Sequence, residues 1–274
     1  MISNCIKKVF EGRNIEGFFL NIFNDCLNYF NNSNNEMLAT KKDGTPLSKA
    51  DLEIDKVICQ SLKALPCSLP IISEERQFNK YDFLVDSYWL IDPIDGTSSF
   101  VAGKEEYTVN IALINQGIPE LGFIAHPTQK KFWLGINNIL KFFDRKRNKF
   151  SNIDKKKILN NNPTVITSRY LDDKTKDYLS LLKTKEIIRL SSSLKFCFVA
   201  EKKAEIYPRF SPIKKWDVAA GHAILRSIGG EILTKGCKEF NYKSKTEKTD
   251  AFIATYDMKW FKRNYKKLST GFFL

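Results

Sequence analysis

Apolar residues recur at helical spacing in Ile15, Phe18, Phe19, Ile22, Cys26 and Tyr29 and predict a helix over residues 1 to about 35, ended by the breaker Asn31-Asn32-Ser33-Asn34-Asn35. A second helix begins near Leu47. Ser48 followed three residues later by Asp51 has the form of a capping box, and Ile54, Val57, Ile58 and Leu62 supply the apolar stripe. Two short apolar runs then end in acids: Pro70-Ile71-Ile72 before Ser73-Glu74-Glu75, and Tyr88-Trp89-Leu90-Ile91 before Asp92. From Tyr107 the period changes to two, with Tyr107, Val109, Ile111 and Leu113 alternating with Thr108, Asn110 and Ala112. Asn115-Gln116-Gly117 turns this run into Leu121–Ala125 and then Phe132–Ile136, an antiparallel meander.

The polar, basic segment 144 to 162 is the best boundary and predicts an N-terminal half, 1–155, and a C-terminal half, 156–274. After it come a strand (Thr164 to Ser168), a helix (Thr175 to Leu182), a strand (Glu186 to Leu190) and a helix opening at Ser191-Ser192-Ser193. The clearest helix runs from Asp217 to about Ser227. Trp216, Ala219, Ala220, Ala223 and Ile224 share one face, and Gly229-Gly230 stops it. Strands mixed with helices on both sides give a layered α/β or α+β architecture.

At 274 residues, 43% hydrophobic, the chain can build a sizeable core, and it contains no stretch approaching the roughly 18 apolar residues of a membrane span. Phe18–Phe23 lacks a small-residue cleavage site, so a secretory signal is not expected. The six cysteines form no C-x-x-C pair and read as reduced thiols, implying a cytoplasmic protein. A net charge of +13 suits an anionic substrate and leaves room for peripheral association with an anionic membrane face. The basic runs within 141–149 and 155–157 read as solvated loop; without interleaved aromatics, no specific nucleic-acid site is expected.

The stretch Trp89-Leu90-Ile91-Asp92-Pro93-Ile94-Asp95-Gly96-Thr97 sets two carboxylates three positions apart behind a buried run. Side chains at i and i+3 of a regular strand face opposite ways, so Asp-Pro-Ile-Asp-Gly is expected to be a turn that swings both to one side. Thr97-Ser98-Ser99 then resembles a helix start able to receive an anion. Acids beside an anion site require intervening cations, and hard oxygen ligands select Mg2+ or Mn2+ over zinc. Each piece has a plainer reading: the turn alone, Glu74-Glu75 as a solvated strand end, Asp217 as a helix cap. Only His126 and His222 exist, and no G-x-S-x-G, Walker or dinucleotide fingerprint appears, which argues against serine hydrolase, P-loop and Rossmann chemistry. His222 reads as structural.

Ser73-Glu74-Glu75, Asp92-Pro93-Ile94-Asp95-Gly96-Thr97 and Trp216-Asp217-Val218-Ala219-Ala220-Gly221, in this order, resemble the three signatures of the inositol monophosphatase superfamily of Mg2+-dependent phosphatases. Within it, Ser192-Ser193-Leu194-Lys195-Phe196-Cys197 and Ile206-Tyr207-Pro208-Arg209-Phe210 resemble the 3'(2'),5'-bisphosphate nucleotidase branch. The resemblance implies an αβαβα sandwich of the fructose-1,6-bisphosphatase type. It further implies that Glu74, Asp92 and the Ile94 carbonyl hold one Mg2+, and that Asp92, Asp95 and Asp217 hold a second. Two or three ions are implied, with Mn2+ as a substitute. Gly96 and Thr97 would donate to the scissile phosphate, Thr97 and Asp51 would orient the attacking water, and Ser192, Lys195 and Arg209 would hold the nucleotide. The implied reaction takes adenosine 3',5'-bisphosphate to AMP and phosphate in a monomer or homodimer.

Two positions depart from that branch: Ser98-Ser99-Phe100 where Lys-Glu-Phe is common, and Lys202 where Gly is usual. Lys41 or Lys42 offers a further basic contact near Asp51. An inositol or sugar phosphatase on the same scaffold stays open, as does a non-catalytic basic protein that binds nucleic acid.

Overall fold

The computed structural model describes residues 3–32, 37–41, 44–153, 162–264 and 268. Its first part contains α1 (Asn4–Phe10), α2 (Ile15–Asn32), β1 (Met37–Thr40), β2 (Pro46–Ser48), α3 (Lys49–Lys63), β3 (Ile71–Ser73), β4 (Ser87–Asp95), α4 (Thr97–Val101), β5 (Thr108–Asn115), β6 (Ile118–His126), β7 (Lys131–Ile136), β8 (Ile139–Asp144) and β9 (Lys149–Asn152). The rest holds β10 (Thr164–Thr167), α5 (Asp173–Leu181), β11 (Glu186–Arg189), α6 (Leu194–Ala200), β12 (Ile206–Arg209), α7 (Trp216–Arg226), β13 (Glu231–Thr234), β14 (Lys238–Glu239), β15 (Phe252–Thr255) and α8 (Met258–Arg263).

Strands β3 to β9 lie in sequence order in one seven-stranded sheet, and the second sheet runs β11-β10-β12-β15-β13-β14. Alternation on the first sheet sends Trp89, Ile91, Val109, Ile111 and Leu113 to one face, where they meet Phe19, Ile22, Phe23, Ile54 and Ile58 of α2 and α3. Tyr88, Leu90, Ala112 and Ile114 point the other way, onto α6 and α7. Those two helices also cover Ile166, Tyr207, Ile232 and Phe252 of the second sheet. That sheet's outer face, with Val165, Ile206 and Ile253, packs on α5 and α8 through Tyr178, Trp260 and Phe261. The layers are therefore α-β-α-β-α, and each large apolar side chain they bury contributes roughly 1.5–3 kcal/mol.

Three local expectations change. The N-terminal helix is two, because Glu11 turns left-handed (φ 43°) and Asn14 restarts the chain by accepting from Gly17 N at 3.1 Å. The basic run 141–149 is a loop only in part: residues 145–148 form an exposed turn as expected, whereas residues 141–144 belong to β8, where Phe143 stacks on Phe132 at 5.0 Å, and Lys149 opens β9. Ser33, Asn34 and Asn35 of the expected breaker, Lys42, the 155–157 lysines and the expected division at 155/156 lie outside the described residues. Helix α7 is buried all round rather than on one face, with Val218, Gly221, His222 and Leu225 enclosed as well. It lies this deep because β6 and β7 present Gly122 and Gly135; a Cβ on Gly135 would stand 2.7 Å from Ile224 Cα, and one on Gly122 would strike the Ala220 carbonyl. His222 is a packing residue there, bonded to Glu231 and lying 3.3 Å from the Tyr242 hydroxyl. No helix among the described residues is long and apolar enough to cross a membrane.

Candidate active site

Strands β3 and β4 run parallel with Ser73 opposite Ile91, and Glu74 N donates to Ile91 O at 3.2 Å. The two acid-tipped apolar runs are thus neighbours, which sets Glu74 beside Asp92. The expected Asp-Pro-Ile-Asp turn is a bulge instead. Asp92 pairs with Asn110 and Asp95 with Thr108, so β4 spends three steps where β5 spends two. The extra residue reverses the side-chain alternation beyond it, and Asp95 joins Asp92 on one side without the strand ending. Asp217 arrives from the first turn of α7, its Oδ2 accepting from Lys214 N at 3.2 Å.

Carboxylate oxygens of Glu74, Asp92 and Asp217 lie within 4.8 Å of one another. Asp92 is 1% exposed, and its Oδ1 has no hydrogen-bond partner among the described residues. Burial, followed by the fields of Glu74, Asp95 and Asp217, pushes the Asp92 carboxyl well above its ordinary range. Asp217 is raised likewise by burial, Asp95 and Glu74. A buried carboxylate with an oxygen that no donor meets, facing two other carboxylates, is unfavourable unless a cation neutralises it. The donor set is entirely oxygen, which suits a hard divalent ion such as Mg2+ and disfavours zinc. These residues fit the metal that the signatures imply.

Gly96 closes the bulge at φ +95°, and a Cβ there would meet Glu106 O at 3.0 Å. It is the N-cap of α4, whose first residue, Thr97, directs Oγ1 at Ile94 O (2.9 Å) and Asp51 Oδ1 (3.2 Å). The capping box forms as expected, with Asp51 Oδ2 accepting from both Ser48 N and Ser48 Oγ at 2.7 Å. Asp51 therefore uses one oxygen on its helix and turns the other to Thr97. Burial raises its pKa, opposed by the Ser48 hydrogen bonds. Lys41 reaches Glu74 at 2.8 Å and Glu75 at 2.5 Å. Burial alone would depress its ammonium, but these carboxylates hold it above its ordinary value. Burial also lifts Glu75 to about 7 despite Lys41.

Glu74, Asp92, Ile94, Asp95, Gly96, Thr97 and Asp217 line one cavity of about 190 Å3. Asp95 and Asp217 also form the wall of a neighbouring cavity of about 330 Å3 that contains Ser192, Lys195 and Arg209. Lys195 donates to Ser192 O at 2.6 Å and sits 5.3 Å from the Tyr207 ring centre. Burial lowers its pKa to about 8, with Asp95 pulling the other way. Arg209 is aimed by Ser168 Oγ (2.9 Å) and Ser211 O (3.2 Å). An acidic chamber and a cationic one share a wall.

The family model for the inositol monophosphatase family matches residues 21–263. The chain belongs to that family. It is 38% identical over 210 residues to the 3'(2'),5'-bisphosphate nucleotidase CysQ of Buchnera aphidicola, an alignment covering 74% of this chain and 76% of the relative. With the CysQ of Escherichia coli K12 the identity is 36% over 214 residues, covering 71% and 78%. The crystal structure of CysQ from Bacteroides thetaiotaomicron superposes with a TM-score of 0.70 at 28% identity, covering 87% of this chain and 92% of that one. An IMPase/NADP phosphatase complexed with Mg2+ and phosphate shares the fold (TM-score 0.72, 18% identity, 94% of each chain).

Around this family site, the structure adds residues that sequence reading missed. Ser193 Oγ lies 2.6 Å from Asp95 Oδ2 and 2.8 Å from Asp217 O, and Asn110 Nδ2 donates to Ser193 Oγ at 2.9 Å. The available signal was Asn110 itself, a polar residue in the buried middle of β5. Arg169 pairs with Glu106, which also accepts from Ser191 N at 2.9 Å, and so joins the meander to the second sheet across the cationic chamber. Ser73 Oγ donates to Asp55 at 2.5 Å and Arg76 binds the same carboxylate at 2.7 Å, which fixes the end of β3 just before Glu74.

Proposed function

We propose that the chain is a Mg2+-dependent 3'(2'),5'-bisphosphate nucleotidase that hydrolyses adenosine 3',5'-bisphosphate to AMP and phosphate. The observation that carries this reading is the shared wall of Asp95 and Asp217 between the acidic chamber and the chamber with Lys195 and Arg209. A substrate with two phosphates needs two anion sites at nucleoside spacing. An inositol monophosphate has no use for the second. The CysQ relatives at 36–38% identity support the same substrate.

In this reading Glu74, Asp92, Asp95, Asp217 and the Ile94 carbonyl would hold two or three Mg2+ ions, with Mn2+ as a substitute. Divalent cations at such a site lower the pKa of water and neutralise charge on phosphoryl oxygens. Asp51 Oδ1, held by its cap, and the Thr97 hydroxyl orient the attacking water in line with the scissile phosphate. Gly96 and Thr97 donate to that phosphate, while Ser192, Lys195 and Arg209 hold the nucleoside and its second phosphate. Positioning and charge neutralisation supply the catalysis, and no side chain forms a covalent intermediate. Phosphate release from adenosine 3',5'-bisphosphate and from inositol 1-phosphate, with and without Mg2+, tests the proposal. A preference for the inositol ester would return the site to inositol chemistry.

A further inference from the structure

Beyond the cationic chamber lies a third cavity, of about 890 Å3, larger than either of the other two. It shares Arg169 and Tyr170 with the cationic chamber and no residue with the acidic one. The three chambers therefore stand in series. The third is chemically mixed. Leu190, Leu194 and Phe198 give it an apolar side, and Lys104 and Lys131 stand on its wall without an ion-pair partner among the described residues. Its other cations, Arg169 and Lys203, are already paired with Glu106 and Glu201, and Glu105, which accepts from Gln129 at 3.1 Å, leaves the wall positive by one charge. Tyr170, on the divide, is 89% exposed, an aromatic face open to stacking.

We propose that the third cavity receives a further nucleotide joined to the 5' side of the substrate, so that 3'-phosphorylated dinucleotides are hydrolysed as well. This rests on the nucleotidase reading. The series order fixes the polarity: terminal 3'-phosphate in the acidic chamber, first nucleoside and the linking phosphate on its 5' side beside Lys195 and Arg209, and the chain then passing Arg169 and Tyr170 into the third cavity. The second base then packs on Phe198 and Leu190, and its 5'-phosphate meets Lys104 and Lys131. The chemistry is the same hydrolysis. The oxygen of water bonds to phosphorus, the bond from phosphorus to the 3'-oxygen breaks, and that oxygen leaves as a hydroxyl carrying one of the water protons.

The test compares kcat/KM for adenosine 3',5'-bisphosphate and for the 5'-phosphorylated adenine dinucleotide bearing a terminal 3'-phosphate. Measurements use the wild type, a Lys104→Glu/Lys131→Glu double variant and Phe198→Ala. The wild type is expected to turn over both substrates. In each variant kcat/KM for the dinucleotide should fall at least about tenfold further than for the bisphosphate, the range expected for a lost base stack or phosphate contact. The ratio is insensitive to partial misfolding, which lowers both values together. Equal losses, or turnover of the bisphosphate alone, overturn this inference and leave the nucleotidase reading standing. Turnover of neither substrate overturns both.

Discussion

The Ser193 hydroxyl lies 2.6 Å from one carboxylate oxygen of Asp95. This contact ties the start of α6, in the central helix layer, to the bulge of β4 in the first sheet, and the same hydroxyl touches the Asp217 carbonyl at 2.8 Å. Residues that orient metal-holding carboxylates typically change metal affinity or activity by about 10- to 100-fold when removed. Ser193→Ala is therefore expected to raise the Mg2+ concentration for half-maximal activity by about tenfold or more, read from Mg2+ titrations of phosphate release. An unchanged Mg2+ requirement would remove Ser193 from the site.

Asp95 stands on the wall common to both chambers. Asp95→Asn keeps the shape but loses a charge, and phosphate release should drop to background. Chelation of wild-type enzyme with EDTA should do the same, reversed by added Mg2+. Near-normal turnover by the variant would refute the proposed metal set.

Lys195 is a buried amine whose pKa burial brings down to about 8. It is charged below that pH and neutral above it, so the attraction expected for the second phosphate of the proposed substrate should weaken as pH rises through about 8. KM for the bisphosphate should climb over that interval. In Lys195→Arg, whose guanidinium stays charged, the rise should disappear. A KM that stays flat from pH 7 to 9 in the wild type would show that Lys195 does not bind the phosphate.

Gly96 holds φ +95° with a carbonyl 3.0 Å from where a side chain would begin. Gly96→Ala places an L-residue in the left-handed region at a cost of about 1–2 kcal/mol. For a domain of this size that lowers the melting temperature by roughly 2–8 °C. Because the same residue leads into Thr97, kcat should fall in the folded variant too. Calorimetry and steady-state assays at 25 °C separate the two effects.

Much of this site was visible in the sequence because its signals are local. The Ser48–Asp51 box, the period-two run from Tyr107 and the glycine stop of α7 are each set by residues a few positions apart. The bulge was not visible. Pro93 and Gly96 suggested a turn, whereas the deciding fact is that Asp92 and Asp95 pair with Asn110 and Thr108 on another strand. Ser193 and Asn110 escaped for a similar reason, since their roles exist only once the first sheet and α6 come together. In the 141–149 run the expected loop holds at residues 145–148, while Phe142 and Phe143 give its start to β8, and only the aromatic cluster under β8 shows where strand ends and turn begins.

The closeness of α7 to β6 and β7 has a consequence for inheritance. Gly122 and Gly135 line neither the acidic nor the cationic chamber and belong to no signature, yet a Cβ at either would meet α7 closer than 3.0 Å, so the helix that carries Asp217 would have to shift. A missense change at either codon is expected to lower activity in a protein whose four acids are all intact. A screen for lost function should recover these two positions alongside the acids themselves.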